Sequence, residues 1–519
     1  MTARLGLLDW LIVGGYGAVI AAASLWLGRR RTADARDYFL AGGAVPPWLA
    51  AISVLATTQS AATFLGGPDY GYRGDFTYLG ANLAALLAAY VVARVLMPRF
   101  YAQGLTTVYE LLGRRFGAGA MRAAGAMFLI GRVLAGGARL YLAAVAVSML
   151  LFLNVSAGGV LTSAALLVAV AFAFGVRGGL HSIVWIDVIQ FAVYAGAAVA
   201  MLVFLRGLIP LPLGAILHGL AATPEGTNKL RLVNLTLDPT QPFALPAILC
   251  GLTLLNIGSF GLDQDVTQRL LACKDAKAGA RGLYISVIAA VPVVAVFIAI
   301  GSLLYIVYRR PDLMGHAALT PRRGVSGSDI TIFMRFILTQ APPGLRGLAT
   351  VGVVATCVGT TMSALNAMSS VLVQDFYRPW RSGEGTARPE HHYVRAGRIG
   401  MAATGLATLA MAAFSFYWRR YTDTPLLEFV LSVMNFAYAG LLGVYFTAVF
   451  TKRGSTASVI AALVVGFVVI LVLQPYVADA LGLPAGLRRL AFPWQLCLGA
   501  AAAFGVCVTG RSPRKPSLS

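Results

Sequence analysis

Oxygen-bearing side chains cluster at one point within an otherwise apolar stretch, residues 51–73. They are hydroxyl and amide groups, at Thr57, Thr58, Gln59, Ser60 and Thr63. Gly66, Gly67 and Pro68 follow, and a continuous helix disfavours both residue types. An interrupted membrane helix leaves main-chain groups unpaired at bilayer depth, which is tolerable only where the backbone lines a cavity or holds an ion. The stretch therefore predicts a discontinuous transmembrane helix whose break forms a binding site.

A second polar cluster lies in the apolar segment 348–376. Its members are Thr356, Thr360, Thr361, Ser363, Asn366, Ser369 and Ser370. Hard oxygen ligands that carry little charge suit a monovalent cation that must also be released. The alternative is that Ser and Thr allow close helix packing in a membrane. Taken alone, the pattern favours the packing interpretation.

The segment 242–262 is also interrupted, by Asn256, Gly258, Ser259 and Gly261. This interruption resembles that of residues 51–73, five spans earlier. Paired breaks in corresponding halves of a transporter indicate an inverted repeat with the binding site at the breaks. The inference depends on spacing, since the two halves show no clear sequence repeat.

Ionisable side chains within apolar segments are functional candidates by default, because an isolated charge is costly in a membrane. Asp187 lies in HSIVWIDVIQF, where it either binds Na⁺ or carries a proton, or pairs with an arginine of a loop. Arg132 is suited to bind a carboxylate through two hydrogen bonds, and Arg139 follows on nearly the same face. Each arginine either contacts an anionic substrate or pairs with a membrane carboxylate or helix-end carbonyls.

The elements that must position these residues are membrane-spanning helices. The chain is 58% hydrophobic and 12% charged, whereas average soluble domains carry roughly 25% charged residues. The composition predicts an all-α polytopic membrane protein with about 13 transmembrane helices of about 20 residues each. The predicted spans are 5–28, 44–72, 76–98, 121–152, 158–175, 182–206, 242–262, 282–308, 329–376 (a short extramembrane helix, then the span from residue 348), 394–417, 426–450, 456–476 and 489–509.

The charge distribution predicts the orientation and the partners. The net charge is +21, and more than half of the basic residues fall in loops that are cytoplasmic if the N-terminus is outside and the C-terminus inside. These loops include Arg114, Arg115, Arg269, Lys274 and Lys452. The expected partner is the lipid bilayer of the cell inner (plasma) membrane, and nucleic acid is not expected, because no basic patch is interleaved with aromatic residues. The sequence does not define an oligomeric state.

Two other classes of function fit the sequence less well. A membrane enzyme would need a nucleophile–base pair or a metal cluster, but the five histidines lie at span ends and in loops, away from the polar segments. A solute sensor with a transporter-like body would need an appended soluble domain, and the polar tail 510–519 is too short for one. The sequence therefore favours a secondary transporter.

Four stretches resemble the sodium/solute symporter family, the group with the bacterial proline, galactose and sialic acid symporters and the mammalian sodium–glucose and monocarboxylate carriers. They are Asp37-Tyr38-Phe39-Leu40-Ala41-Gly42, residues 105–110 with 114–117, Gly178-Gly179-Leu180 with residues 184–190, and Asp263-Gln264-Asp265 with Gln268-Arg269. The third is the most specific. The resemblance implies a sodium-coupled symporter that imports a small organic solute by alternating access.

The family fold is of the leucine-transporter type, in which ten core helices form two inverted five-helix repeats with extra helices at the flanks. The resemblance implies the following segments: 1–43, an extra N-terminal helix and cytoplasmic loop; 44–206, the first repeat with core helices 1–5; 207–241, an external loop; 242–452, the second repeat with core helices 6–10; 453–509, two C-terminal helices; and 510–519, a cytoplasmic tail. Residues 44–72 would be core helix 1 and residues 348–376 core helix 8.

In this family a sodium ion lies between the broken core helix 1 and core helix 8. The resemblance implies carbonyl ligands at Ala56, Gln59 and Thr356 and a hydroxyl ligand at Thr360. Position 359 is Gly359 here, where many members have Ser, so one ligand is absent. Weaker sodium binding, a water in that place and proton coupling all stay open.

The resemblance offers two further possibilities for ion binding. Thr361 is a candidate substitute for the absent hydroxyl at position 359. Some members hold a second sodium ion near the aspartate that matches Asp187, and Thr360 and Ser363 would complete such a site here.

The implied solute site lies at the two helix breaks. Its candidate residues are Thr58, Ser60, Thr63, Asn82, Arg132, Asn256, Ser259 and Phe260. Hydroxyl groups on core helix 1 with an arginine on core helix 3 resemble the sialic acid carriers, which favours an acidic solute such as sialic acid or a monocarboxylate. Ser259 occupies the position of an aromatic inner gate, and Phe260 is expected to serve instead. A proton-coupled carrier and a sugar or amino-acid carrier of the same fold are the alternatives.

Overall fold

The computed structural model describes residues 5–29, 34–315, 331–382, 388–418 and 426–511, and within these ranges it is helical and contains no strand. The helices of the first half are α1 Leu7–Leu27, α2 Ala35–Leu40, α3 Pro47–Thr58, α4 Ala61–Arg73, α5 Phe76–Ala102, α6 Glu110–Phe116, α7 Ala118–Phe152, α8 Ala157–Gly175, α9 Gly179–Leu208 and α10 Leu213–Ala221. The helices of the second half are α11 Leu245–Leu262, α12 Gln264–Leu271, α13 Ala276–Arg309, α14 Ile332–Thr339, α15 Leu345–Arg381, α16 Glu390–Trp418, α17 Leu426–Phe450, α18 Thr456–Val472, α19 Pro475–Ala480 and α20 Phe492–Thr509.

Eleven helices of the described ranges are long and apolar enough to cross a membrane. The two other predicted spans correspond to the broken pair of α3 and α4 and to α18, which has 17 residues. The predicted short helix before the ninth span is present as α14. The all-α membrane architecture is therefore confirmed, while residues 512–519 of the predicted tail lie outside the described residues.

The first helix break lies between α3 and α4, at Gln59 and Ser60, whose backbones are extended. The discontinuity predicted for residues 51–73 is present, but residues 66–68 do not cause it, since they lie inside α4. Gly67 instead allows α13 to approach closely, because a Cβ on it would lie 3.0 Å from the Cβ of Phe297. Close helix packing, rather than helix termination, explains Gly67.

The second break lies at Asp263, after α11 rather than within it. The interruption predicted at residues 256–261 is wrong in position, because α11 continues through Asn256 and ends in a π-helical turn, Gly258–Leu262. Asp263 has an extended backbone and caps α12, where its side chain accepts a hydrogen bond from the N–H of Asp265 at 3.0 Å. A π turn accommodates the small residues without ending the helix. Each predicted repeat therefore begins with a helix broken at an extended residue.

Helix α15, which carries the second polar cluster, is anchored by Asp9 of α1. Asp9 Oδ1 accepts hydrogen bonds from the backbone N–H groups of Gly344 and Gly347, each at 2.8 Å. Asp9 is fully buried, and its Oδ2 lies 3.4 Å from Nε of Arg346. A carboxylate at a helix N-terminus is stabilising. Packed against α7 and α9 as well, α15 forms one wall of the polar core.

Candidate functional site

A cavity of about 150 Å³ lies between the two helix breaks. All eight predicted solute-site residues line it: Thr58, Ser60, Thr63, Asn82, Arg132, Asn256, Ser259 and Phe260. Helices α13 and α17 complete the wall with apolar groups such as Val287 and Leu431. The fold thus brings the eight residues together, and their binding of a solute stays a prediction.

The N-terminus of α4 borders this cavity. Ser60 precedes α4 and makes no side-chain hydrogen bond to the helix. The first N–H groups of a helix have no intrahelical partner, so those of Ala61 and Ala62 are available beside the Ser60 hydroxyl. These donors and the partial positive charge of the helix terminus favour an anionic group. Thr63, in the first turn, lines the same space.

Arg132 lies in the cavity wall, but its charge is already paired. Its Nη1 lies 3.2 Å from Asp263 Oδ2, and its Nη2 forms an ion pair with Asp265. Tyr438 donates a hydrogen bond to the same oxygen of Asp263 at 2.6 Å. Of the two alternatives for Arg132, the geometry favours pairing with a membrane carboxylate, so its contact with substrate stays a prediction.

Arg139 is the second cation of the cavity wall. Its Nη2 lies 3.2 Å from the sulfur of Met434, which is a weak acceptor. Among the described residues, its Nε has no hydrogen-bond partner and its guanidinium has no carboxylate within ion-pair distance. Arg139 therefore has more free donors than Arg132 for binding an anion.

Asp187 belongs to a buried charge network. Its Oδ2 accepts a hydrogen bond from Ser53 Oγ at 2.5 Å and lies 3.3 Å from Arg269 Nη2. The same guanidinium donates to Ser363, and its Nη1 lies 3.1 Å from Asp265 Oδ1.

This network bears on two sequence predictions. Arg269 contacts both Asp187 and Ser363, which is the pairing with an arginine that the sequence left open for Asp187. A second sodium ion at these residues stays a prediction. Arg269 is also fully buried in α12, so its assignment to a cytoplasmic loop is wrong.

Four of the five residues predicted for the sodium site line a narrow void of about 10 Å³ beside the first break. They are Ala56, Gln59, Thr356 and Gly359. Helix α3 ends at Thr58, so the Ala56 carbonyl lies in the last turn, where carbonyl groups have no intrahelical donor. Thr356 Oγ1 donates to the Gln59 carbonyl at 2.9 Å and joins α15 to the break. Uncharged oxygens of this kind fit a monovalent cation.

Thr360, the fifth residue, does not line this void. Its hydroxyl donates to the carbonyl of Thr356 at 2.8 Å, and its side chain borders a separate small void together with Thr361 and Arg139. The roles of Thr360 and Thr361 as ion ligands stay predictions.

The polar core contains residues to which the sequence analysis assigned no role. Asp263, Asp265 and Arg269 form the ion pairs around the second break, and Gln190 borders the narrow void beside the first break. The motif Asp263-Gln264-Asp265 with Arg269 carried a usable signal, because two carboxylates and an arginine directly follow an apolar span.

A bundle of membrane helices in which two broken helices meet at a polar cavity defines a secondary transporter of the leucine-transporter-type fold. A solved structure of a Na⁺-coupled sialic acid symporter matches with a TM-score of 0.78 at 22% identity, covering 97% of each chain. Mhp1, a nucleobase-cation-symport-1 family transporter, matches with a TM-score of 0.53 at 16% identity, covering 93% of this chain and 96% of its own. The predicted fold class is confirmed.

The profile of the sodium:solute symporter family matches residues 38–466, and the chain belongs to this family. The sodium/sialic acid symporter SiaT of Proteus mirabilis is 26% identical over 473 residues, which is 90% of this chain and 89% of SiaT. Other relatives are named for iodide, monocarboxylate or glucose. The protein is thus a multi-pass membrane symporter that couples sodium to a small solute, and it is not an enzyme.

Proposed function

We propose that the protein imports a small carboxylate-bearing solute together with one Na⁺ across the plasma membrane, with its N-terminus outside and its C-terminus inside. The supporting observation is the composition of the cavity wall. The N-terminus of α4, the hydroxyls of Ser60 and Thr63 and two guanidinium groups face one space, and no carboxylate of the described residues lines it. A carboxylate finds hydrogen-bond donors on both sides there.

Charge balance supports an anion with one sodium ion. The charged side chains around the two helix breaks and the cavity are Asp187, Asp263, Asp265, Arg132, Arg269 and Arg139. The formal charges of the three carboxylates and the three guanidinium groups sum to zero. The charges of one Na⁺ and one carboxylate substrate also sum to zero, so binding both leaves the core neutral. Net charge is costly in the low-dielectric interior, so the balance also disfavours a second sodium ion at Asp187 and Ser363.

The size of the cavity supports a simple carboxylate. Sites for drug-sized ligands have volumes of roughly 300–1,000 Å³, whereas this cavity has about 150 Å³. A monocarboxylate therefore fits better than a sugar acid such as sialic acid. Neutral sugars would leave the donors of Arg139 without an anionic acceptor.

The proposed ion and solute sites share one residue. Gln59 lines both the cavity and the narrow void, and its carbonyl accepts the hydrogen bond from Thr356. Sodium bound at Ala56 and Gln59 would fix the break that carries Ser60. Coupling then requires only that ion and solute bind the same conformation more tightly than the others.

A thermal-shift screen of the purified protein tests the proposal. Short monocarboxylates, sialic acid, neutral sugars and amino acids are each added in Na⁺ and in choline. We expect stabilisation by a monocarboxylate that requires Na⁺, because a ligand that binds only the folded state raises its stability. Stabilisation by neutral sugars but by no carboxylate would contradict the proposal.

Arg139→Gln tests the anion site directly. We expect this variant to lose the carboxylate shift and to keep the shift caused by Na⁺ alone. Arg94→Gln is the control, because Arg94 is exposed on α5, outside the cavity. An unchanged carboxylate shift in Arg139→Gln would contradict the proposed anion site.

The proposed orientation has its own test. Epitope tags are placed at either end of the chain, and intact cells are treated with protease. We expect loss of the N-terminal tag alone, and loss of the C-terminal tag would contradict the orientation.

A further inference from the structure

Gln190 of α9 is a buried amide without a hydrogen-bond partner. The residue is 2% exposed, and neither Oε1 nor Nε2 has a partner among the described residues. The hydroxyl of Tyr16 lies near this amide but makes no hydrogen bond of acceptable geometry to it. An unsatisfied buried polar group is destabilising, so such a group in a native protein calls for an explanation such as an ion.

The amide oxygen of Gln190 occupies the space that a side chain at position 359 would need. A Cβ built on Gly359 would lie 2.2 Å from Gln190 Oε1 and 3.2 Å from its Cδ. Gln190 also borders the narrow void lined by Ala56, Gln59 and Thr356. The unpaired oxygen is thus placed beside the residues of the proposed sodium site, on the side where Gly359 supplies no hydroxyl.

We propose that Gln190 Oε1 is a ligand of the coupling sodium ion and replaces the hydroxyl that Gly359 lacks. This inference rests on the proposed sodium site between α3 and α15. An amide oxygen is a hard, uncharged ligand like a backbone carbonyl, so it adds coordination without adding charge to the site. A serine at position 359 would displace the Gln190 amide, because its Cβ and the amide oxygen cannot occupy the same space.

This steric exclusion makes residues 190 and 359 a complementary pair. Gln190→Ala removes the ligand and leaves the space empty. Gly359→Ser adds a hydroxyl, but its Cβ would displace the amide from the void. The double variant Gln190→Ala/Gly359→Ser has the hydroxyl and the space for it.

Sodium binding measured without solute tests the proposal. The Na⁺ concentration that produces half of the thermal shift is determined in purified protein for both single variants and the double variant. We expect this concentration to rise roughly tenfold in Gln190→Ala, to rise less in Gly359→Ser, where the hydroxyl and the displaced amide compete for one space, and to return to within about threefold of the wild type in the double variant. A double variant weaker than both single variants would overturn the proposal.

Two controls separate a ligand from a structural residue. Ser163 of α8 also has a buried polar group without a hydrogen-bond partner among the described residues, but it lies outside the void. Ser163→Ala should therefore leave sodium binding unchanged. Thr356→Val alters the proposed sodium site itself. If Thr356→Val weakens sodium binding and Gln190→Ala does not, the sodium site stands and the role of Gln190 is overturned. If neither weakens it, the proposed sodium site fails as well.

Discussion

Arg269 and Asp187 form a buried ion pair between α12 and α9, with 3.3 Å between Nη2 and Oδ2. Ser53 of α3 donates to the same carboxylate at 2.5 Å and accepts a hydrogen bond from Arg269 Nε at 2.7 Å. The three side chains therefore connect both broken helices to α9. Because neither charge reaches water, each depends on its partner for compensation.

Removing one partner of this pair should destabilise the fold strongly. Arg269→Gln leaves Asp187 without its cation, and breaking a buried ion pair costs about 3–5 kcal/mol. The double variant Arg269→Gln/Asp187→Asn removes both charges and should recover much of the lost stability. Thermal unfolding in detergent measures both effects.

The control for this prediction is Arg488→Gln. Arg488 pairs with Asp479 at 3.1 Å, but both side chains are largely exposed, so the change should cost about 0–1 kcal/mol. A double variant no more stable than Arg269→Gln would show that the destabilisation does not come from the uncompensated carboxylate.

Thr356 should contribute to sodium binding more than Thr360 does. Thr356→Val removes the hydrogen bond to the Gln59 carbonyl, which joins α15 to the first break. Such a bond is worth about 0.5–1.5 kcal/mol, so the sodium concentration for half-maximal uptake should rise roughly 2- to 10-fold. Thr360→Ala removes a hydroxyl that donates hydrogen bonds only within α15, so it should raise this sodium concentration less. Uptake in proteoliposomes measures both, and an unchanged sodium dependence in both variants would contradict the proposed site.

The spans and the first break could be predicted from the sequence because local composition determines both. Apolar runs of sufficient length specify membrane helices. The hydroxyl-rich stretch around Ser60 marks a place where backbone polar groups leave the helix. The eight cavity residues followed from the family resemblance, and six of them, all except Asn82 and Arg132, belong to the two interrupted segments.

The helix contacts and the buried ion pairs depend on which helices meet, and local sequence does not carry that information. A glycine pair before a proline suits both a helix end and a close helix contact, and only the approach of Phe297 to Gly67 decides between them. The partner of Asp187 could not be predicted for the same reason. In the sequence Arg269 begins a basic stretch, and only the packing of α12 against α3 and α15 brings it to Asp187.

Lys229, in the loop after α10, should make the stability of the fold rise with pH in the alkaline range. Its Nζ donates to the carbonyls of Tyr72 at 2.8 Å and Gly74 at 2.7 Å, at the C-terminal end of α4. Burial lowers the pKa of Lys229 from 10.5 to about 8. Between these two values the unfolded chain binds more protons than the folded one, so the contribution of Lys229 to the free energy of unfolding rises with pH.

The melting temperatures of the wild type and Lys229→Met, compared from pH 8 to pH 10, test this prediction. We expect the wild type to gain stability relative to the variant over that window. Arg231→Gln is the control, because Arg231 pairs with Asp75 at 2.8 Å in the same loop and arginine stays charged throughout. If the melting temperature of the wild type relative to Lys229→Met stays constant or falls as the pH rises, the pH dependence does not come from Lys229.

Gly71 of α4 should be intolerant of a side chain, because it permits a close backbone contact with α13. A Cβ on Gly71 would lie 2.2 Å from the carbonyl oxygen of Ile298, which a backbone group cannot easily avoid. Gly71→Ala must therefore separate the two helices, and overpacking of this kind costs about 1–3 kcal/mol.

Gly66→Ala on the same helix is the control. Its Cβ would meet the Cβ of Leu427 at an ordinary 3.4 Å. Alanine is also more favourable than glycine in a helix interior, by about 0.5–1 kcal/mol. We expect the melting temperature to fall in Gly71→Ala and to be kept or raised in Gly66→Ala. Equal tolerance of both changes would show that close packing against α13 is not the reason for Gly71.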